Sequence, residues 1–153
     1  MSEEIKEPIS KAEQKRLGDM FLELMAQCPH VPKDANIKYN AKDVGKCVYI
    51  LTAGDSVRKY DITGGFTSKL KIQVAYQSFP TGNGQIINAQ DVTDSITMWL
   101  EDVENLPVLK GGRKVTNFTA YDSFSSVEEV EGDKATVFAA NADMEYRVKG
   151  ERF

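Results

Sequence analysis

The chain is poor in the side chains that do chemistry. Its 153 residues include one histidine, two cysteines and one tryptophan. His30 stands in a loop segment between Pro29 and Pro32. A single histidine cannot make a two-histidine zinc site, and no Cys-x-x-Cys accompanies it. Cys28 and Cys47 are too few and too far apart for a disulfide framework, so they read as small buried hydrophobes in a reducing compartment. Cys28 and His30 make a poor nucleophile–base pair, because positions this close in sequence rarely orient a thiolate towards its base. No apolar run approaches the roughly 18 residues of a membrane helix. The opening MSEEIKEPIS lacks the apolar stretch of a secretory leader. A basic surplus is missing too: 19 Lys and Arg face 23 Asp and Glu, for a net charge of −4. That balance argues against a general affinity for nucleic acid.

The glycines carry no phosphate-binding pattern. Gly64-Gly65 and Gly82-Asn83-Gly84 lack the Gly-x-x-x-x-Gly-Lys-Ser/Thr spacing, and neither leads directly from strand to helix as a dinucleotide fingerprint does. Gly45-Lys46 has no glycine five residues earlier and is followed by cysteine. The acids are many, but no glycosidase pair stands out among them. The expectation is therefore a protein that is not an enzyme and that uses neither cofactor nor metal.

What is present reads as one ordinary globular domain spanning 1–153. Apolar residues make up 41% and charged residues 27% of it, and a chain of this length buries roughly 70% of its unfolded surface. Residues 1–8 read as a loose polar lead. Ser10-Lys11-Ala12-Glu13 is a capping box, in which the serine caps a free amide and the glutamate reaches back. Leu17, Met20, Phe21, Leu24, Met25 and Cys28 follow at helical spacing, and Pro29 stops the run. Residues 29–45 read as loop. Cys47–Thr52, Val57–Ile62 and a segment with Leu70, Ile72, Val74 and Tyr76 on one face predict three strands in an antiparallel meander. A second helix is expected from Asn88, with Asp91 in its first turn and Val92, Ile96, Trp99, Leu100 and Val103 as its stripe. Pro107 ends it.

The last third is the longest stretch of polar–apolar alternation. Val115, Asn117, Thr119 and Tyr121 are expected on one face of a strand. Met144, Tyr146 and Val148 share a face of another, with Glu145, Arg147 and Lys149 opposite. Glu131-Gly132-Asp133 reads as a hairpin turn between Phe124–Val130 and Lys134–Ala140. The predicted order is α-β-β-β-α-β-β-β: an α+β fold with a mainly antiparallel sheet and two principal helices packed on it.

Charge adds one feature. The second helix holds Asp91, Asp94, Glu101, Asp102 and Glu104 with no lysine or arginine, and the last three crowd its C-terminal end, where each costs about 0.3–1 kcal/mol unless neutralised. Either Lys110, Arg113 and Lys114 just beyond compensate them, or they form an acidic rim facing a basic neighbour.

The string Lys59-Tyr60-Asp61-Ile62-Thr63-Gly64-Gly65-Phe66, the strand ending Tyr76-Gln77-Ser78-Phe79, and the stretch Ala135–Ala140 through Met144–Val148 resemble the tail-terminator proteins of long-tailed bacteriophages and prophages, often called minor capsid or minor tail proteins. The likeness runs from about Leu17 onward and rests on turns and strands rather than on an active-site signature. It implies a ring, usually of six subunits, that caps the tail tube, ends its polymerisation and offers a docking surface to the head–tail connector. The implied partners are sister subunits, the tail tube protein and the connector protein, in a virion and with no specific nucleic acid or membrane. On this basis Lys69, Lys71, Phe124, Glu128, Phe138, Glu145 and Arg147, expected outward or at sheet edges, are candidate subunit or tube contacts. Two other readings stay open: another head–tail joining subunit, such as a head-completion or neck protein, and a small-molecule-binding module using Trp99, Tyr49 or Tyr76 in a cavity.

Overall fold

A long strand, β5 (Phe66–Ser78), organises the sheet. The computed structural model describes residues 4–42 and 44–150. One edge of β5 pairs antiparallel with β7 (Asp133–Val148) along its whole length, from Phe66↔Val148 to Ser78↔Thr136. Its other edge is shared by two shorter strands, β3 (Cys47–Thr52) and β4 (Asp55–Tyr60), which pair with its second and first halves. These two therefore lie end to end, as one bent strand interrupted at Ala53-Gly54, and Ala53 keeps the ladder going by donating its N–H to the Lys71 carbonyl at 3.0 Å. The expected meander is corrected accordingly: β3 and β4 are both neighbours of β5 and not of each other. β6 (Arg113–Val130) pairs with β7 and closes that side of the sheet.

Two further strands were not foreseen. β1 (Glu4–Pro8) runs antiparallel to β4, so the described part of the 1–8 lead is a strand; residues 1–3 lie outside the described residues. β2 (Asn36–Tyr39) lies parallel to β3, inside the stretch read as loop. Both are short edge strands with polar residues, which blurs their alternation. The sheet has seven strands and is mostly antiparallel, with two helices packed on it, and the fold is α+β as expected. The order differs: one strand precedes α1, four lie between it and the sheet's long hairpin, and the last third forms two long strands rather than three.

Helix α1 (Lys11–Gln27) begins as predicted, with the Ser10 hydroxyl accepting from the Glu13 amide at 3.1 Å. Glu13 does not reach back to the cap. It turns inward and ion-pairs with Arg113, and both side chains are buried. Leu17, Met20, Phe21, Leu24 and Met25 pack on the sheet. Gly18 sits against the Tyr39 ring, where a Cβ would stand 2.8 Å from a ring carbon, so β2 and α1 touch closely. The Tyr39 hydroxyl donates to Gln14 at 2.8 Å, and its ring stacks on Phe21.

Helix α2 spans Asn83–Glu101, five residues earlier at its start than predicted. Gly82 is the cap residue, and Gln85 reaches back to accept the Thr81 amide at 2.9 Å. Gly84 falls where a helix's first amides lack intrahelical partners, so its cost there is small. Asp91 consequently lies in the third turn, away from the dipole's positive end. The helix stops at Glu101, and a short 3-10 turn at Val103–Asn105 carries the chain on to buried Leu106.

One face of the sheet receives both helices: Leu70, Ile72, Val74 and Tyr76 of β5 with Phe138, Ala142, Met144 and Tyr146 of β7 form its floor. The opposite face holds only a small apolar cluster, Cys47, Tyr49, Ala75, Val137 and Ala139. On β6 the alternation changes phase at two irregularities, between Val115 and Asn117 and between Ala120 and Asp122. Val115 and Phe118 are buried with the helices, whereas Asn117, Thr119 and Tyr121 are exposed. The expected single face for Val115, Asn117, Thr119 and Tyr121 is thus corrected; each extra residue shifts the period-two pattern by one.

Candidate interaction surfaces

The uncovered sheet face is built as a ladder of opposed polar pairs across β5 and β7. Gln73 faces Asn141 with 3.4 Å between their amide groups, Lys71 faces Asp143 at 3.3 Å, and Lys69 faces Glu145 at 4.0 Å. Because side chains of directly paired residues project together, this row follows from register alone. Lys69 also reaches Glu4 of β1 at 3.2 Å, and the Thr116 hydroxyl donates to Glu145 at 2.8 Å. The Lys71 ammonium lies 5.2 Å from the centre of the Tyr121 ring, and Asp143 raises its pKa through their hydrogen bond. An open depression of about 510 Å³ lies over this ladder, with Lys6, Lys69, Lys71, Asp55, Asp143 and Glu145 around it. Positive and negative groups there balance, so it offers no net field for a charged ligand.

Arg147 ends the row. It lies 4.0 Å from Asp61, whose own carboxylate caps the 61–65 turn. Asp61 accepts from the Thr63 hydroxyl at 2.6 Å and from the Thr63 and Gly65 amides, each at 3.0 Å. The Thr63 hydroxyl first, and then the amides, hold its pKa below the usual carboxylate value. The turn is pinned against the chain's descending end: a Cβ on Gly65 would sit 2.5 Å from the Gly150 nitrogen.

The remaining predicted contacts fall in different places. Phe124 is 42% exposed on the distal half of β6. Glu128, four residues on, ion-pairs with Lys42 from the β2–β3 connection. Phe138 is 8% exposed and packs within the helix-covered core, and its carbonyl accepts from Thr93 of α2. Its placement as an outward residue is corrected: it stands on the opposite face from Val137 and Ala139, beneath α2. Lys69, Lys71, Glu145 and Arg147 are thus gathered on one face, Phe124 and Glu128 lie at its hairpin end, and Phe138 is behind the sheet.

Glu101, Asp102 and Glu104 are exposed, and among the described residues none has an ion pair within 4.0 Å. Asp102 accepts from the Asn105 amide at 2.8 Å. The cations beyond them act elsewhere. Lys114 donates to the Val103 and Leu106 carbonyls, satisfying backbone at the end of the 3-10 turn. Arg113 is committed to Glu13.

Sequence reasoning missed two features. One is the full exposure and acidity of the distal β6–β7 hairpin: its turn at Glu131-Gly132-Asp133 is as expected, but every residue from Tyr121 to Glu129 is exposed. Its turn residues Glu131 and Gly132 have φ of 50° and 85°, as a tight hairpin turn requires. Counting acids along this segment would have found it, since 122–133 holds five and no lysine or arginine. The other is a depression of about 620 Å³ between α1 and β2, for which the loop reading of 29–45 left no place.

Tyr49 and Tyr76 project from adjacent register positions to opposite faces of the sheet, Tyr49 with the small cluster and Tyr76 with the helices. Trp99 borders the helix-side core. The three aromatics do not line a common cavity. Burial pushes the Tyr49 hydroxyl up to about 12, with Glu128 adding to the effect. Among the described residues no group of three acids, histidines or cysteines is placed to hold a metal, and no helix is long and apolar enough to cross a membrane.

No family model matches the chain, and no curated protein matches it. Among solved structures it is similar to a chain of the virion of native gene transfer agent (GTA) particle, with a TM-score of 0.42 and 13% identity over 88% of this chain and 90% of that one. A likeness at this level supports no inference about role.

Proposed function

We propose that the chain is a structural, non-enzymatic virion protein, a tail terminator. In this reading copies of it close into a ring, six in number by the resemblance, at the head-proximal end of the tail. The ring caps the tube, ends its polymerisation and presents a surface to the head–tail connector protein. The reading rests on the resemblance carried by Lys59–Phe66, Tyr76–Phe79 and Ala135–Val148. One structural observation supports it: the sheet ends in edge strands on both sides, β6 at one and β1 with β2 at the other. A closed ring needs two different patches on each subunit, and opposite sheet edges are two such patches. The buried charges also suit a scaffold, since Glu13 and Arg113 serve each other within the core.

Tails assembled without this protein test the proposal by electron microscopy. Overlong tubes are expected. Tubes of normal length below leaking heads would overturn it in favour of a head-completion or neck role.

A further inference from the structure

We infer that the distal β6–β7 hairpin of one copy docks into the depression between α1 and β2 of a second copy. This deepens the proposed ring by naming its subunit contact, and it rests on that reading only for self-association, not for a tail.

Charge is the first argument. The hairpin segment 122–133 carries Asp122, Glu128, Glu129, Glu131 and Asp133, and the one cation next to them is Lys134, the register partner of Glu129. Glu128 is engaged by Lys42 of its own chain. Glu129, Glu131 and Asp133 are exposed, and among the described residues none has an ion pair within 4.0 Å. The α1–β2 depression has the opposite sign: Lys15 and Lys38 line it against a single acid, Asp19. Exposed Lys11 precedes it on α1, and exposed Lys33 precedes β2. Complementary potentials of this kind steer encounter and fix register.

Apolar surface is the second argument. Phe124 and Val127 are 42% and 70% exposed. Paired with Ala139 and Thr136 respectively, they project from opposite faces of the hairpin. The depression offers Leu22, 40% exposed, and half-buried Ile37 between its lysines. A small apolar centre ringed by charge is the usual layout of a specific interface.

Topology is the third. β6 and β2 are edge strands on opposite sides of the sheet. A contact joining them is head-to-tail and propagates around a ring. The Lys42–Glu128 contact and the tight turn at Glu131-Gly132 hold the hairpin in one shape.

Sedimentation velocity of the full chain over a concentration series, at low and high salt, tests the contact. Four proteins are compared: wild type; Glu129→Lys with Glu131→Lys; Lys15→Glu with Lys38→Glu; and the combination of all four. All the changes are exposed or half-buried, and unchanged near-ultraviolet circular dichroism confirms the fold of each. Wild type is expected to self-associate, less strongly in salt. Each two-residue reversal should weaken association by about tenfold, the size of two modest charge pairs. The four-residue combination should recover it. Three outcomes overturn the inference: a wild type monomeric at its highest soluble concentration, association indifferent to either reversal, or a combination as weak as its parents. Salt-sensitive association through this contact in a protein whose loss leaves tail length normal would sink the tail function alone. Overlong tails combined with charge-indifferent association would sink the contact alone.

Discussion

The two halves of β6 share one backbone ladder and differ in almost everything else. At the root, Arg113, Val115 and Phe118 are buried opposite Val148, Tyr146 and Met144, and Arg113 meets Glu13 from α1. At the tip, every residue from Tyr121 to Glu129 is exposed, although their β7 partners Val137, Ala139 and Ala140 are buried. The difference separates two jobs. The root anchors the last third of the chain to both α1 and the sheet core. The tip obtains its order from backbone pairing, a tight turn and the Lys42–Glu128 ion pair, and its other side chains carry acids and exposed apolar groups. A surface like that is a cost in an isolated molecule and useful in an assembled one.

The root should be where substitutions hurt most. Arg113→Ala leaves the Glu13 carboxylate buried without its partner, next to the Tyr146 hydroxyl at 3.5 Å. Removing one member of such a pair costs about 3–5 kcal/mol, whereas an apolar replacement of both is often neutral. Denaturant unfolding of Arg113→Ala is expected to lose stability in that range, and Glu13→Leu with Arg113→Met to regain most of it. A loss below about 1 kcal/mol for Arg113→Ala would mean that water reaches the pair and the root is not the anchor described here.

The tip should tolerate what the root does not. Phe124→Ser combined with Val127→Thr removes exposed apolar surface and keeps the strand. Its unfolding free energy is expected to stay within about 0.5 kcal/mol of wild type, while self-association weakens. A larger loss of stability would show that the tip packs on its own chain, and the contrast along β6 would shrink.

The same contrast explains what was legible in the sequence. Helix α1 could be read because a cap, an apolar stripe and Pro29 agree with one another. β5 could be read from its alternation over 68–74, and β7 only in its second half, 141–148; the middle of β7, buried on both faces, made one strand look like two. β6 misled because its bulges near Thr116 and Tyr121 leave no mark in the residue types, and a one-residue insertion reverses every face after it. Phe138 misled because both faces of β7 are buried at its centre, so alternation could not say which side held the helices. β1 and β2 were invisible because edge strands are short and polar by necessity. α2 began early because Gly84 sits where a helix tolerates glycine, so a turn signal and a helix start looked alike. Lys69, Lys71, Glu145 and Arg147 share one face as expected because register puts them there, whereas Phe138 on β7 does not. The hairpin acids and the α1–β2 depression were missed because they depend on which edges stay unpaired.

The smallest expected effect is the one that shows how the tip lies over the rest of the sheet. Tyr49 is buried in the small cluster on the uncovered face, and its hydroxyl is pushed up to about 12, first by that burial and then by the Glu128 carboxylate. In the unfolded chain a tyrosine titrates at about 10. The folded form therefore holds its proton more tightly, and this contribution to stability is complete below pH of about 10 and is lost as pH rises towards about 12. Glu128→Gln removes the second cause and leaves the first. Tyr49 should then ionise at lower pH than in wild type yet still above the ordinary value, with no change in stability near neutrality. Phenolate absorbance reads this, and Tyr49→Phe identifies its signal among Tyr39, Tyr76 and Tyr146, which burial also raises. If Glu128→Gln leaves the Tyr49 titration in place, the tip does not lie over this cluster in solution. The Lys42–Glu128 brace would then be absent, and the hairpin would enter a neighbour as a loose arm rather than a preformed one, at a greater cost in ordering.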